Sequence, residues 1–176
     1  MKNILILIVI GLITSCEKDS LLEIHDYEFK MVGRTYQDPN GYYHLPLDPE
    51  PLKQTLHRFG AHVTNKDKWD LPTQVIWRCD TFWALRDTLG YTYIEIGNVP
   101  TGASPWSWEN FAVTGFEGMP VPIVNSTSFA DPSIDSVFCM MAPIGDMIGD
   151  TITIYGRAYF EEGLINIEDS LQIILN

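Results

Sequence analysis

The chain has 176 residues, 45% of them hydrophobic, 12% aromatic and only 19% charged, a balance that excludes a disordered chain and suffices for one domain with a real core. Two full domains would be cramped. A formal net charge of −12, from 11 lysines and arginines against 23 acids, argues against nucleic acid and against an anionic lipid surface as partners.

The first element is an apolar run, Ile4 to Ile13. As a helix it would be about 15 Å long, short of the about 20 residues a membrane span needs. Lys2 ahead of it and Thr14 and Ser15 behind it complete the positive start, apolar middle and small polar end of a secretion signal. Ile13-Thr14-Ser15-Cys16 resembles a bacterial lipobox, with Ile13 in the place of the commoner leucine. That resemblance implies removal of residues 1–15 and lipidation of Cys16, whose acyl chains would hold a membrane at about 0.8 kcal/mol per buried CH₂. Loss of Lys2 makes the mature chain one charge more negative. Glu17-Lys18-Asp19-Ser20 resembles the short charged tethers of Bacteroidota lipoproteins, which implies the outer membrane, at its periplasmic or cell-surface face.

Beyond the tether, apolar residues recur at every second position in short runs bounded by Gly, Pro, Asn and Asp, the pattern of half-buried strands. Tyr27, Phe29 and Met31 predict a first strand. Residues 37–51 hold four prolines and read either as a linker, leaving a domain over 52–176, or as a long loop across one edge. Next come Phe59, Ala61 and Val63; Val75, Trp77 and Cys79; and Thr92, Ile94 and Ile96, interleaved with Tyr93 and Glu95. Ile152 and Ile154, then Leu171, Ile173 and Leu175, close the series. No long helix and no internal repeat is visible, and several short strands at roughly 8 to 12 residue spacing argue for a sandwich or barrel.

Two blocks carry a resemblance. "RFGAHVTNKDKWDLPTQVIWRC…RDTLGYTYIEI" and "GDTITIYGRAYFEEGLINIEDSLQIIL" resemble bacterial immunoglobulin-like modules, the second block being similar to their last two strands. The resemblance implies an all-β, antiparallel immunoglobulin-like sandwich, with the stretch from Asn98 to Met147 as an insertion.

Within that insertion Trp106 and Trp108 stand at i, i+2, so an extended backbone puts both indoles on one face, where coplanar rings stack on sugars. The alternative is aromatics tucked over an open edge of the core, the commoner fate of tryptophan. Trp69, surrounded by Lys66, Asp67, Lys68 and Asp70, is a candidate for exposure at a hairpin tip, whereas Trp77 belongs in the core. Asn65, Asp67 and Asp70 offer oxygens to calcium, but Trp69 and the missing glycine break the loop pattern, so no metal site is expected. His57 and His62, five apart on a strand, point to opposite faces, and His25 and His44 lack nearby ligand partners. With Cys16 lipidated, Cys79 and Cys139 remain, either as a disulfide in an oxidising compartment or as buried thiols.

No nucleophile elbow, zinc-protease helix, phosphate-binding glycine loop or paired-cysteine motif is present, and the adjacent Glu161 and Glu162 diverge on a strand. The expectation is a membrane-anchored envelope lipoprotein acting as a non-catalytic binding module for a glycan or protein, through loops near Trp69 and Trp106 and without a cofactor. The alternative is a structural or assembly subunit of an envelope complex; a hydrolase ranks last.

Overall fold

Period-two burial organises the fold from its first strand to its last. The computed structural model describes residues 27–65, 73–98, 104, 106, 122–124, 127–130 and 136–176, with the backbone alone at residues 65, 86–88 and 162. The lipobox and Cys16 lie outside the described residues. The strands are β1 (Tyr27–Val32), β2 (Tyr43–Leu45), β3 (His57–Asn65), β4 (Thr73–Cys79), β5 (Thr81–Thr88), β6 (Tyr91–Asn98), β7 (Thr127–Ala130), β8 (Ser136–Met141), β9 (Thr151–Phe160) and β10 (Ile165–Leu175). No α-helix occurs among the described residues.

They form a three-stranded sheet in the order β1-β3-β8, a five-stranded sheet in the order β2-β10-β9-β4-β7, and the separate hairpin β5-β6. Every pairing is antiparallel except that of β2 with β10, which is parallel, with Tyr43 opposite Ile173 and Leu45 opposite Leu175. All the strands expected from alternation are present. The segment 37–51 differs from both a plain linker and a plain loop, because Tyr43–Leu45 adds an edge strand to β10. Its partner lies at the far end of the sequence, where no local pattern can announce it.

The inner residues Phe29, Met31, Phe59 and Val63 of one sheet and Val75, Trp77, Ile154 and Phe160 of the other belong to one core cluster. Trp77 is fully buried, with the Phe59 ring edge-on at 5.3 Å and the Phe29 ring at 6.2 Å. Burying a side chain of this class contributes about 1.5–3 kcal/mol. Gly156, opposite Trp77 in the register, makes the approach possible: a Cβ there would stand 2.7 Å from Phe29 Cζ.

Polar pins join the sheets as well. The Met31 N–H, on the free edge of β1, donates to Asp169 Oδ2 of β10 at 2.9 Å, and Lys30 Nζ stands 3.0 Å from the same oxygen. The hairpin is held at its base by Trp83, whose indole N–H donates to the Ala142 carbonyl at 2.9 Å. Further out it pairs with itself, so Leu85, Tyr91, Tyr93 and Ile96 are exposed although their strands alternate as core strands do.

Candidate functional site

The outer face of the five-stranded sheet is built by the residues of β9 that alternate with its buried ones: Thr153, Tyr155, Arg157 and Tyr159. Register places Arg157 between Ile76 of β4 and Glu168 of β10, and Tyr159 between Gln74 and Asn166. Gln74 is flanked in turn by Phe129 of β7, which is 63% exposed. Two rows of aromatic, amide and charged side chains thus cross a rigid backbone.

Arg157 is the hub. Its Nε donates to Glu168 Oε1 at 2.8 Å, its Nη2 donates to the same oxygen, and its Nη1 donates to the Tyr159 hydroxyl at 3.3 Å. Burial alone would lower the guanidinium pKa, but the bonds to Tyr159 and Glu168 outweigh it and hold the group charged. Above it lies the Trp106 ring, 4.1 Å from the guanidinium carbon, a cation–π contact worth about 0.5–1 kcal/mol at a partly exposed site. Trp106 itself is half-buried, and its indole nitrogen is enclosed without an acceptor among the described residues.

Trp106 is therefore laid on the outside of the sheet, an arrangement that is neither core packing nor a bare platform. Trp69 and Trp108, the other aromatic candidates, lie outside the described residues, as do Asp67, Asp70 and the side chain of Asn65. Sequence reasoning missed Arg157, Tyr159 and Glu168. The signal existed in "YGRAYF", where period two puts Tyr155, Arg157 and Tyr159 on one face, but nothing local links that face to Trp106.

His44 has a partner that the sequence did not reveal. Its Nε2 is 3.4 Å from Asp38 Oδ2, Asn176 Nδ2 is 3.0 Å from its Nδ1, and the Tyr36 ring lies 5.7 Å away. Asp38 Oδ1 also accepts the N–H groups of Asn40 at 2.9 Å and Tyr42 at 3.0 Å. Burial acts to raise the Asp38 carboxyl, yet these N–H groups and the imidazole outweigh it and lower its pKa. The carboxylate clamps a turn; no hydroxyl or thiol nucleophile stands on the imidazole among the contacts described.

Cys79 and Cys139 stand on strands of different sheets with no disulfide between them. Burial pushes the Cys79 thiol well above its ordinary pKa, which keeps it protonated. Glu161 accepts a hydrogen bond from the Tyr27 hydroxyl; the side chain of Glu162 lies outside the described residues. His57 sits half-buried at the head of β3 and His62 is exposed further along it. No protein-family model matches the chain, and no match is found among curated proteins. The stacked indole, the phenol and the amide and carboxylate groups of this face can hold a ligand by stacking and hydrogen bonding; they form no nucleophile–base pair.

Proposed function

We propose that the protein is a lipid-anchored envelope protein, tethered through acylated Cys16, whose immunoglobulin-like β-sandwich is a non-catalytic binding module for a glycan. The contribution of both sheets to one core supports the sandwich reading. The ligand face is the outer surface of β4, β9 and β10. The observation that carries this is the Trp106 ring held over Arg157 beside Tyr159, with Gln74 and Asn166 in the adjoining row. A sugar offers an apolar C–H face and a ring of hydroxyls, and this surface pairs aromatic faces with amide and carboxylate groups on a backbone that does not have to reorganise.

The test is a glycan array probed with the protein and with Trp106→Ala. Binding should vanish in the variant while the melting temperature holds. An equal loss of stability would make Trp106 a packing residue and end the proposal. Mass spectrometry of protein from native cells tests the anchor: an intact methionine start without fatty acid would refute it.

A second reading, an assembly subunit, has its own observation. The β5-β6 hairpin, which pairs only with itself among the described residues, exposes Tyr91 at 77% and Tyr93 at 48% on one of its faces, an aromatic surface of the kind that contacts another protein. On this reading the lipidated protein co-purifies with a defined envelope partner, and the paired substitutions Tyr91→Ser and Tyr93→Ser release it without unfolding the domain.

A further inference from the structure

The outer face of the three-stranded sheet carries different chemistry. Val32, Gly60 and Phe138 form one row across its strands. With no side chain at Gly60, the Phe138 ring lies across β3: a Cβ at position 60 would be 2.8 Å from Phe138 Cδ1 and 2.6 Å from the Val137 carbonyl oxygen. Arg58, opposite Met140 in the next row, sets its guanidinium 3.6 Å from the centre of that ring. Arg34, just past the end of β1, sets its own 4.6 Å from the same centre.

Two like charges therefore share one phenyl ring, and both side chains are exposed. Among the described residues neither guanidinium has a carboxylate within ion-pair distance, although the chain holds 23 acids against 11 lysines and arginines. Glu28, the acid of that face among the described residues, stands opposite Thr64 at the other end. Lys30, in the intervening row with His62, is already committed to Asp169. The result is a local concentration of positive charge, uncompensated among the described residues, on a strongly acidic molecule.

We propose that Arg34 and Arg58, braced on Phe138, form a subsite for the oxyanion of an acidic sugar, a carboxylate or sulfate ester on an otherwise neutral glycan. This rests on the reading of the protein as a glycan-binding module and adds a contact surface on the other sheet from Trp106. Guanidiniums bond oxyanions through paired N–H groups, and stacking on the ring restricts them before the ligand arrives. The charge balance selects a sparsely charged ligand. Over the Debye length of about 8 Å at physiological ionic strength, a single oxyanion feels mainly the two arginines, whereas a dense polyanion reaches past them into the field of an acidic chain.

The experiment is a calorimetric titration of the full-length protein in detergent with glucuronate, a sulfated glucose, neutral glucose, inorganic sulfate and an oligoglutamate peptide. Glucuronate and the sulfated sugar should bind better than glucose and better than inorganic sulfate. Arg34→Gln and Arg58→Gln, both on the surface, should each weaken that binding about tenfold, the size of one lost charge-assisted hydrogen bond, with melting temperatures unchanged. Unchanged affinity in both variants would overturn the subsite. So would equal binding of inorganic sulfate, or tighter binding of oligoglutamate, which would assign the arginines to an acidic protein. Failure here is separable from failure of the Trp106 face: neutral glycans bound through Trp106, with glucuronate no better than glucose, overturn this inference alone, while absence of binding to any sugar overturns both.

Discussion

The Trp77 indole N–H donates to Ser128 Oγ at 3.0 Å, and that hydroxyl donates onward to the Phe138 carbonyl at 2.8 Å. One serine on β7 thereby satisfies the polar atom of a fully buried tryptophan and reaches a strand of the other sheet. Ser128→Ala should cost about 1–3 kcal/mol, the penalty for leaving a buried donor unpaired. Urea unfolding measures it, and a loss below about 0.5 kcal/mol, within the range of an ordinary surface change, would show that the link is dispensable.

Gly156 permits the close approach of β1 to β9, since a Cβ there would meet Phe29 Cζ at 2.7 Å and Met31 Sδ at 3.1 Å. Gly156→Ala should therefore destabilise the protein by about 1–3 kcal/mol through overpacking. Combining it with Phe29→Leu, which vacates the space, should recover part of that loss. Additive losses in the double variant would place the strain elsewhere.

Asp169 accepts from the neighbouring Ser170 N–H through Oδ1 and serves two further donors, of unequal weight, through Oδ2. Lys30 is a surface partner, its side chain 65% exposed against 19% for Asp169, whereas the Met31 N–H is a backbone donor at the edge of β1. Lys30→Ala should change stability by less than about 1 kcal/mol, the range for exposed ion pairs. Asp169→Ala should cost more, because the edge amide loses its acceptor. Equal effects in thermal denaturation would mean that the ion pair, and not the backbone bond, is what matters.

The pH dependence of stability carries a histidine signature. Burial, and secondarily the Arg34 charge, lower the His57 pKa below its ordinary value of 6.5. Between the depressed folded value and 6.5 the unfolded chain binds more protons, so stability is full above about 6.5, falls with acidification through that window, and the loss is complete once pH lies below the folded value. His57→Gln should flatten that part of the curve, and Arg34→Gln should narrow it. A profile unchanged in both would assign the slope to other groups.

Cys139, a buried thiol, and Cys79, a half-buried thiol that desolvation keeps protonated, should resist alkylation in the native protein and react after unfolding without any reductant. Peptide mapping after iodoacetamide treatment decides this. Modification that requires dithiothreitol would reveal a bond between them.

The strands were legible in the sequence because alternation reports half-buried backbone directly: Phe29, Met31, Phe59, Val75 and Ile154 are all core residues. The same signal misreports depth in β6. Ile96 obeys the pattern yet is exposed, because among the described residues its strand pairs with β5 alone, and pairing partners are not written locally. β2 was illegible for the same reason, as was the Asp38 partner of His44, brought close by a turn whose geometry depends on Gly41 at φ 93°. Of the candidate face, the sequence indicated Trp106 but not Arg157 beneath it, since stacking of a loop on a sheet is decided by the completed fold.

The parallel pairing of β2 with β10 also imposes an order on folding. His44 and Asn176, bonded to each other, are 132 residues apart, whereas β9 and β10 are joined by the tight turn Glu161–Gly163. Short-range closure is quick and long-range closure slow, so the β9-β10 hairpin zips early and β2 arrives late. In the interval one flank of β10 offers a bare row of amide and carbonyl groups to any passing strand, including that of a neighbouring chain. Weakening the three residues of β2 would lengthen this vulnerable stage and promote aggregation while leaving the core intact.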